Sequence, residues 1–231
     1  MQQITETDQN FICDIQAPCF QMLTEEEVML VRSSRTQLLF RKGDTLTKQG
    51  AFASYVLFII KGIARQYLEG EGNKSYNLRI IRPGEFVGLS SAFSSPTYNY
   101  SSLALTDCQA FLVEKSAIEK VAKQNGAFSF SIIKRYCEQN NNVFESLSSV
   151  LYKQMNGRLA DVLLYLEGIK AEYPEIFQLL SRKEIADFAG ISTESAVKLL
   201  KTFEKENIIA LKEKDIFINQ PEKLEMISRN G

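Results

Sequence analysis

The residue types that most enzymatic chemistry needs are either missing from this chain or scattered through it. There is no histidine, which removes Ser-His-Asp and Cys-His catalysis, histidine-ligated zinc and histidine-ligated haem together. Cys13, Cys19, Cys108 and Cys137 show no CxxC spacing, so neither a zinc site nor a disulfide framework follows from them. Reduced, packed thiols are expected instead. Carboxylates, lysines and tyrosines are available, but no stretch gathers them into a catalytic pattern, so an enzyme is not expected. One stretch does arrange polar groups usefully, residues 180–209, LLSRKEIADFAGISTESAVKLLKTFEKENII. Its second half puts Ala196, Leu199, Leu200 and Phe203 on one helical face and Thr193, Glu194, Ser195, Val197, Lys198 and Lys201 on the other. The chemistry such a face offers is hydrogen bonding and charge without bond making, and it suits a DNA major groove.

The elements that must present this face can be read from local signals. Ser181 followed by Glu184 is a capping box that starts a first helix, whose apolar side is Ile185, Ala186 and Ala189. Gly190 supplies the positive φ of a sharp turn. Ser192 caps the second helix, with Glu194 in its first turn, where the helix dipole favours an anion. Glu206-Asn207 ends that helix; Ile208-Ile209, a charged turn at Lys212 to Asp215 and Ile216-Phe217-Ile218 then read as a short hairpin. Two helices, a tight turn and a hairpin make a winged helix-turn-helix. Without the hairpin, the same spacing would also fit a helical pair that only completes a core.

The 231 residues suffice for two domains, the apolar and charged fractions, 45% and 24%, are ordinary for a globular chain, and the net charge is −1. That balance does not advertise nucleic acid, although a local patch of cations is enough for phosphate contact. No apolar run is long enough to span a bilayer. The N-terminus MQQITETDQN lacks the basic and apolar regions of a secretory signal, so a cytoplasmic protein is expected. After a short helix opened by Thr24-Glu25-Glu26-Glu27, the period changes to two. Segments 38–40, 45–47, 55–60, 63–68, 75–81 and 103–113 read as strands separated by glycine turns, which indicates a small barrel or roll.

A long helix at roughly 128–154 follows. Ile133, Cys137, Asn140, Phe144, Leu147 and Leu151 step by four, three, four, three, four, a heptad seam that predicts a parallel helix pair between two subunits, with Asn140 fixing register. A second row, Ile132, Tyr136, Val143 and Val150, is free to face the helix's own roll. Asn156-Gly157 breaks the pattern. The expected organisation is therefore α+β: an effector-binding β-roll domain with its dimerisation helix over 1–155, and a winged helix-turn-helix domain over 156–231.

A roll, a long dimer helix and a C-terminal winged helix-turn-helix, in that order, resemble the catabolite-activator/fumarate-nitrate-regulator (Crp/Fnr) transcription factors. The likeness spans nearly the whole chain; its best segments are FRKGDTLTKQG (40–50), IIKGIARQY (59–67), RPGEFVG (82–88), GRLADVLLYL (157–166) and the helix-turn-helix stretch. The resemblance implies a homodimeric DNA-binding regulator with a cyclic-nucleotide-binding-like roll, double-stranded DNA with a pseudo-palindromic operator as ligand, and RNA polymerase as partner. A second reading is a regulatory module of the same roll whose C-terminal helices dock a protein.

The departures bear on the effector. In the family's cyclic-AMP-binding members a Gly-Glu pair caps the ribose and an Arg-Ser pair grips the phosphate. Gly84-Glu85 matches the first pair, but no arginine stands at Tyr98-Asn99 or Tyr100-Ser101, and a cyclic phosphate there would lose its charge-assisted partner. Val143 and Phe144, at the positions that would meet the purine, are apolar. Cyclic AMP bound in the usual way is not expected. With only Cys13 and Cys19 near the N-terminus an iron–sulfur cluster is not expected either, nor is haem. An unknown small molecule could use Gly84, Glu85, Phe86, Val87, Leu89, Ser90, Tyr98, Tyr100 and Ser101, a set that reads equally well as core and loop. For DNA, Thr193, Glu194 and Lys198 should reach base edges, Glu194 accepting from a cytosine amine. Arg182, Lys183, Ser192, Ser195, Lys201 and Lys212 are placed for phosphates. Cys137 on the seam would bring two thiols together in a dimer.

Overall fold

The computed structural model describes residues 1–9, 11–12 and 17–231, the side chains of Asn73 and Asn142 excepted; Cys13 lies outside them. The described residues form two compact units, Met1–Glu69 with Arg79–Asn141, and Gly70–Leu78 with Asn142–Gly231.

In the first unit, β1 (Gln2–Ile4) and α1 (Glu25–Ser33) precede β2 (Arg35–Phe40), β3 (Thr45–Thr47), β4 (Tyr55–Lys61) and β5 (Ala64–Glu69). Then come the end of β6 (Ser75–Ile81), whose residues up to Leu78 belong to the second unit, β7 (Phe86–Val87), β8 (Ser101–Ala104), β9 (Cys108–Glu114), α2 (Lys115–Gln124) and the start of α3 (Gly126–Tyr152). Two sheets result, in the orders β1-β2-β9-β4-β7 and β3-β8-β5-β6. Alternation along the strands explains why they face each other. In β4, Leu57 and Ile59 join Phe40, Ile81, Val87 and Ala110 between the sheets. Val56 and Phe58, one step out of phase, join Phe20, Phe86, Phe111, Ile118, Val121 and Phe128 under the helices. A strand buried on both faces reads as a continuous apolar run, as VLFII does. Each such side chain contributes about 1.5–3 kcal/mol by leaving water.

Thr24 caps α1 with a full capping box, as expected. The single strand expected over 103–113 is instead two, β8 and β9, which belong to different sheets. The chain breaks at 105–107, where Asp107 accepts from the Lys42 amide (2.9 Å) and the Arg41 guanidinium (2.6 Å). A corner built by long-range side-chain bonds leaves no glycine or proline to announce it. Helix α2, hidden in the lysine-rich KSAIEKVAKQ, buries Ala117, Ile118 and Val121.

The second unit contains the end of α3, α4 (Met155–Lys170), α5 (Ile176–Leu179), α6 (Arg182–Ala189), α7 (Thr193–Lys205), the hairpin β10 (Ile209–Lys212) and β11 (Asp215–Ile218), and α8 (Pro221–Asn230). Helix α4 supplies the core, with Leu159, Leu163 and Leu166 fully buried. Asn156-Gly157 does not interrupt the helices: it lies in the first turn of α4, and the break falls before it, at Lys153-Gln154. Gly157 is small for another reason, since a Cβ there would meet Gly231 at 2.9 Å. Asn207 ends α7 in the left-handed region at φ 55°, a conformation asparagine tolerates. Among the described residues, no helix is long and apolar enough to cross a membrane.

Candidate nucleic-acid interface and roll cluster

The α6–turn–α7 segment is built by local chemistry. The Ser181 hydroxyl accepts from the Glu184 amide and the Glu184 carboxylate accepts from the Ser181 amide. Gly190 follows at φ 61°, its amide donating to the Ala186 carbonyl. Ser192 then caps α7 by accepting from the Ser195 amide. Ala186, Ala189 and Ala196 are all buried where the helices cross; without long side chains between them, α6 and α7 pack closely. Leu200 and Phe203 fill the core below α7, while Leu199 is only half-buried.

Beyond the cap, Thr193, Glu194, Lys198 and Lys201 are exposed, with Ser195 and Val197 partly covered. Glu194 and Lys198 pair with each other at 2.7 Å, both side chains about three-quarters in solvent. An exposed pair one helical turn apart is weakly held, so either member can turn to a base edge. The expected phosphate contacts are less uniform. Lys183 is tied to Asp187 at 2.8 Å. Arg182 is half-buried, donates at 3.4 Å to the Glu213 carbonyl and leaves one guanidinium nitrogen buried. Ser192 and Ser195 bond each other at 2.9 Å. Lys212 reaches over the Phe217 ring at 5.0 Å, on the wing. Lys201 is simply exposed.

The α3 seam is open along its length: Ile133, Phe144, Leu147 and Leu151 are each more than half exposed, Cys137 is exposed and Asn140 is half-buried. Of the second row, Ile132 is buried in the roll core. Val150 belongs to the second unit, where its Cγ2 lies 3.5 Å from where a Cβ on Gly190 would stand.

The expected effector set divides. Phe86 and Val87 are core residues, one in each apolar cluster, and neither lines the cavity beside α2. Tyr98 is buried and donates to the Tyr55 carbonyl at 2.8 Å; burial pushes its phenol up to about 12. The Tyr100 hydroxyl accepts from the Gly88 amide at 2.7 Å, and burial raises its pKa as well. Ser101 is fully buried and bonds Glu69 and the Gln49 amide. The hydroxyl tips thus point into the protein, bound, rather than into a cavity. Only Ser90 and its neighbour Leu89, of that set, line the cavity of about 530 Å³ that opens beside α2 and the first turns of α3, with Phe93, Ile132 and Tyr136. Val143 and Phe144 belong to the other unit.

What the sequence reading missed is a charged cluster around Gly84-Glu85. Arg79, 6% exposed, pairs with Glu85 and donates to Gln66 at 2.9 Å. Arg82 approaches the same carboxylate at 3.6 Å, and Arg135 of α3 donates to the Gly84 carbonyl at 2.5 Å. The signal was available: Arg79 sits at an inward position of SYNLRII, in phase with Ile81, where an unpaired charge would be too costly.

Comparison with known proteins agrees with this architecture. Residues 37–125 match the cyclic nucleotide-binding domain family and residues 157–227 the Crp-like helix-turn-helix domain family. The anaerobic regulatory protein of Bacillus subtilis (strain 168) is 23% identical over 197 residues, 83% of each chain. The cAMP-activated global transcriptional regulator CRP of Salmonella typhimurium is 23% identical over 178 residues, 75% of this chain and 85% of that one. A crystal structure of a regulator assigned to the crp/fnr family from Eubacterium rectale superposes with a TM-score of 0.78 at 16% identity, covering 92% of this chain and 98% of the other.

Proposed function

Since the chain belongs to the Crp/Fnr family of DNA-binding transcription regulators, we propose that it acts as a homodimer reading a pseudo-palindromic site through α7, and that its roll does not take cyclic AMP in the usual way. The observation that carries the reading is the Ser192-capped helix: beyond the Gly190 turn it exposes Thr193, Glu194 and Lys198 at its N-terminal end, the part of a recognition helix that meets base edges.

Dimerisation is supported by the open column of Ile133, Phe144, Leu147 and Leu151 on α3, which spans heptads and would be buried by a second copy. A dimer sets two recognition helices against two half-sites, so operator symmetry follows protein symmetry. The departure from cyclic AMP is supported by the lack of an arginine at Tyr98-Asn99 or Tyr100-Ser101, where the family's Arg-Ser pair would fall, and by Glu85, whose carboxylate is already held by Arg79 and Arg82. On the family likeness we extend the proposal to RNA polymerase as partner and to a cytoplasmic location.

The test is selection of bound duplexes from a random library by the purified protein, at a stated salt concentration because phosphate contacts are salt-dependent. A two-fold symmetric motif is expected without added nucleotide. Glu194→Ala should lower affinity for that motif by about 1–3 kcal/mol and relax preference at one base pair per half-site. A variant with unchanged preference at every position would remove α7 as the reader.

A further inference from the structure

The C-terminal unit takes in one outlying segment, Gly70–Leu78, and the residues at the start of β6 grip the helix-turn-helix at successive points. The Ser75 hydroxyl donates to Asp187 Oδ2 at 2.7 Å, the same oxygen that receives Lys183 Nζ at 2.8 Å. The Asn77 amide donates to the Glu184 carbonyl at 2.8 Å, and Asn77 is 1% exposed. Between them, Tyr76 lies against the turn: its Cε2 is 3.3 Å from where a Cβ on Gly190 would stand. Glu184, Asp187 and Gly190 are the first turn, the last turn and the end of α6. A helix held at both ends and at its terminal turn by one strand has a fixed axis.

We propose that Ser75, Tyr76 and Asn77 are positioning residues of the DNA reader, holding α6 so that α7 is presented at the angle that engages bases. The proposal rests on the reading of α7 given above. The helix-turn-helix has its own caps and small-residue crossing, so these bonds are not needed to form α6. They fix where it sits. The polar bonds also give direction to the hold, because each needs a donor on β6 facing an acceptor on α6.

The experiment uses the full-length protein and its selected duplex. Ser75→Ala and Asn77→Ala should each weaken binding about fivefold, the equivalent of one lost hydrogen bond, and the double variant about twentyfold to thirtyfold. Hydrogen exchange of the α6 amides should speed up by similar factors, while helix content by circular dichroism stays at the wild-type value. Ser75→Thr keeps the donor and should restore affinity; Asn77→Asp, which has no donor and repels the carbonyl, should not. A variant that loses both bonds yet binds with wild-type affinity overturns the proposal, even if α6 exchanges faster. So does wild-type exchange in α6. If the wild-type protein selects no duplex, the α7 reading is what fails, and the exchange arm still decides whether the strand holds α6.

Discussion

Gly190→Ala should loosen the helix-turn-helix by an amount that can be worked from two separate costs. The first is backbone: at φ 61° a residue with a Cβ is disfavoured by about 1 kcal/mol. The second is contact, because the new methyl would stand 3.3 Å from Tyr76 Cε2 and 3.5 Å from Val150 Cγ2. The Val150 distance is ordinary; the Tyr76 distance requires the ring to move by a few tenths of an ångström, at about 1 kcal/mol in a packed site. The sum is about 2 kcal/mol, or roughly thirtyfold in a local opening equilibrium. Because the chain has two units, a single melting temperature would mix them, so the assay is hydrogen exchange by mass spectrometry over α6 and α7. Gly50→Ala is the control: Gly50 has φ +79° and nothing within 4 Å of a Cβ, so it carries the backbone cost alone, about fivefold in its own segment. Adding Tyr76→Ala to Gly190→Ala should recover the contact cost in a double-mutant cycle. Exchange in Gly190→Ala no faster than in wild type, or a cycle with zero coupling, would refute the close approach.

Three further outcomes follow from other parts of the molecule. Leu147→Glu on the open α3 seam should shift sedimentation from dimer to monomer and abolish preference for a two-fold site while leaving α6 and α7 folded; a dimer that persists places the interface elsewhere. Burial raises Tyr98 from its ordinary 10 to about 12 and Cys108 from 9 to about 11, so the folded roll keeps protons that the unfolded chain has lost. The contribution is complete below pH 9, declines from there through the folded values, and is gone above pH 12. Urea midpoints should therefore fall along that range, with Tyr98→Phe flattening the limb between pH 10 and 12. Arg79→Met leaves Glu85 with Arg82 alone and should destabilise the roll by about 3 kcal/mol, near the low end for a broken buried pair because Glu85 is partly wet. Arg79→Met with Glu85→Gln should recover part of that in the same urea titration.

The helix-turn-helix and its frame were legible in the sequence because the forces that shape them are local. A serine and a glutamate three apart, a glycine before a second serine, and alanines in phase with leucines define α6, the turn and α7 whatever surrounds them, and the alternation of VLFII does the same for a strand with two buried faces. The heptad column on α3 was equally readable, since it depends on one helix's own period. What needed the tertiary structure were groups whose partners lie far along the chain. The break between β8 and β9 is made by Asp107 reaching back to Arg41 and Lys42. The smallness of Gly157 answers to Gly231, and the hydroxyls of Tyr98 and Ser101 turn inward to donate to Tyr55 and Glu69 while that of Tyr100 accepts from the Gly88 amide. Arg79 stood in plain view at a core position, but only the fold supplies Glu85 and Gln66 to neutralise and bond it. The same holds for β6 and α6: Ser75 and Asp187 are 112 residues apart in the chain, and no period or motif connects them. Short-range geometry wrote the helix-turn-helix into the sequence; desolvation and long-range hydrogen bonding decided what holds it.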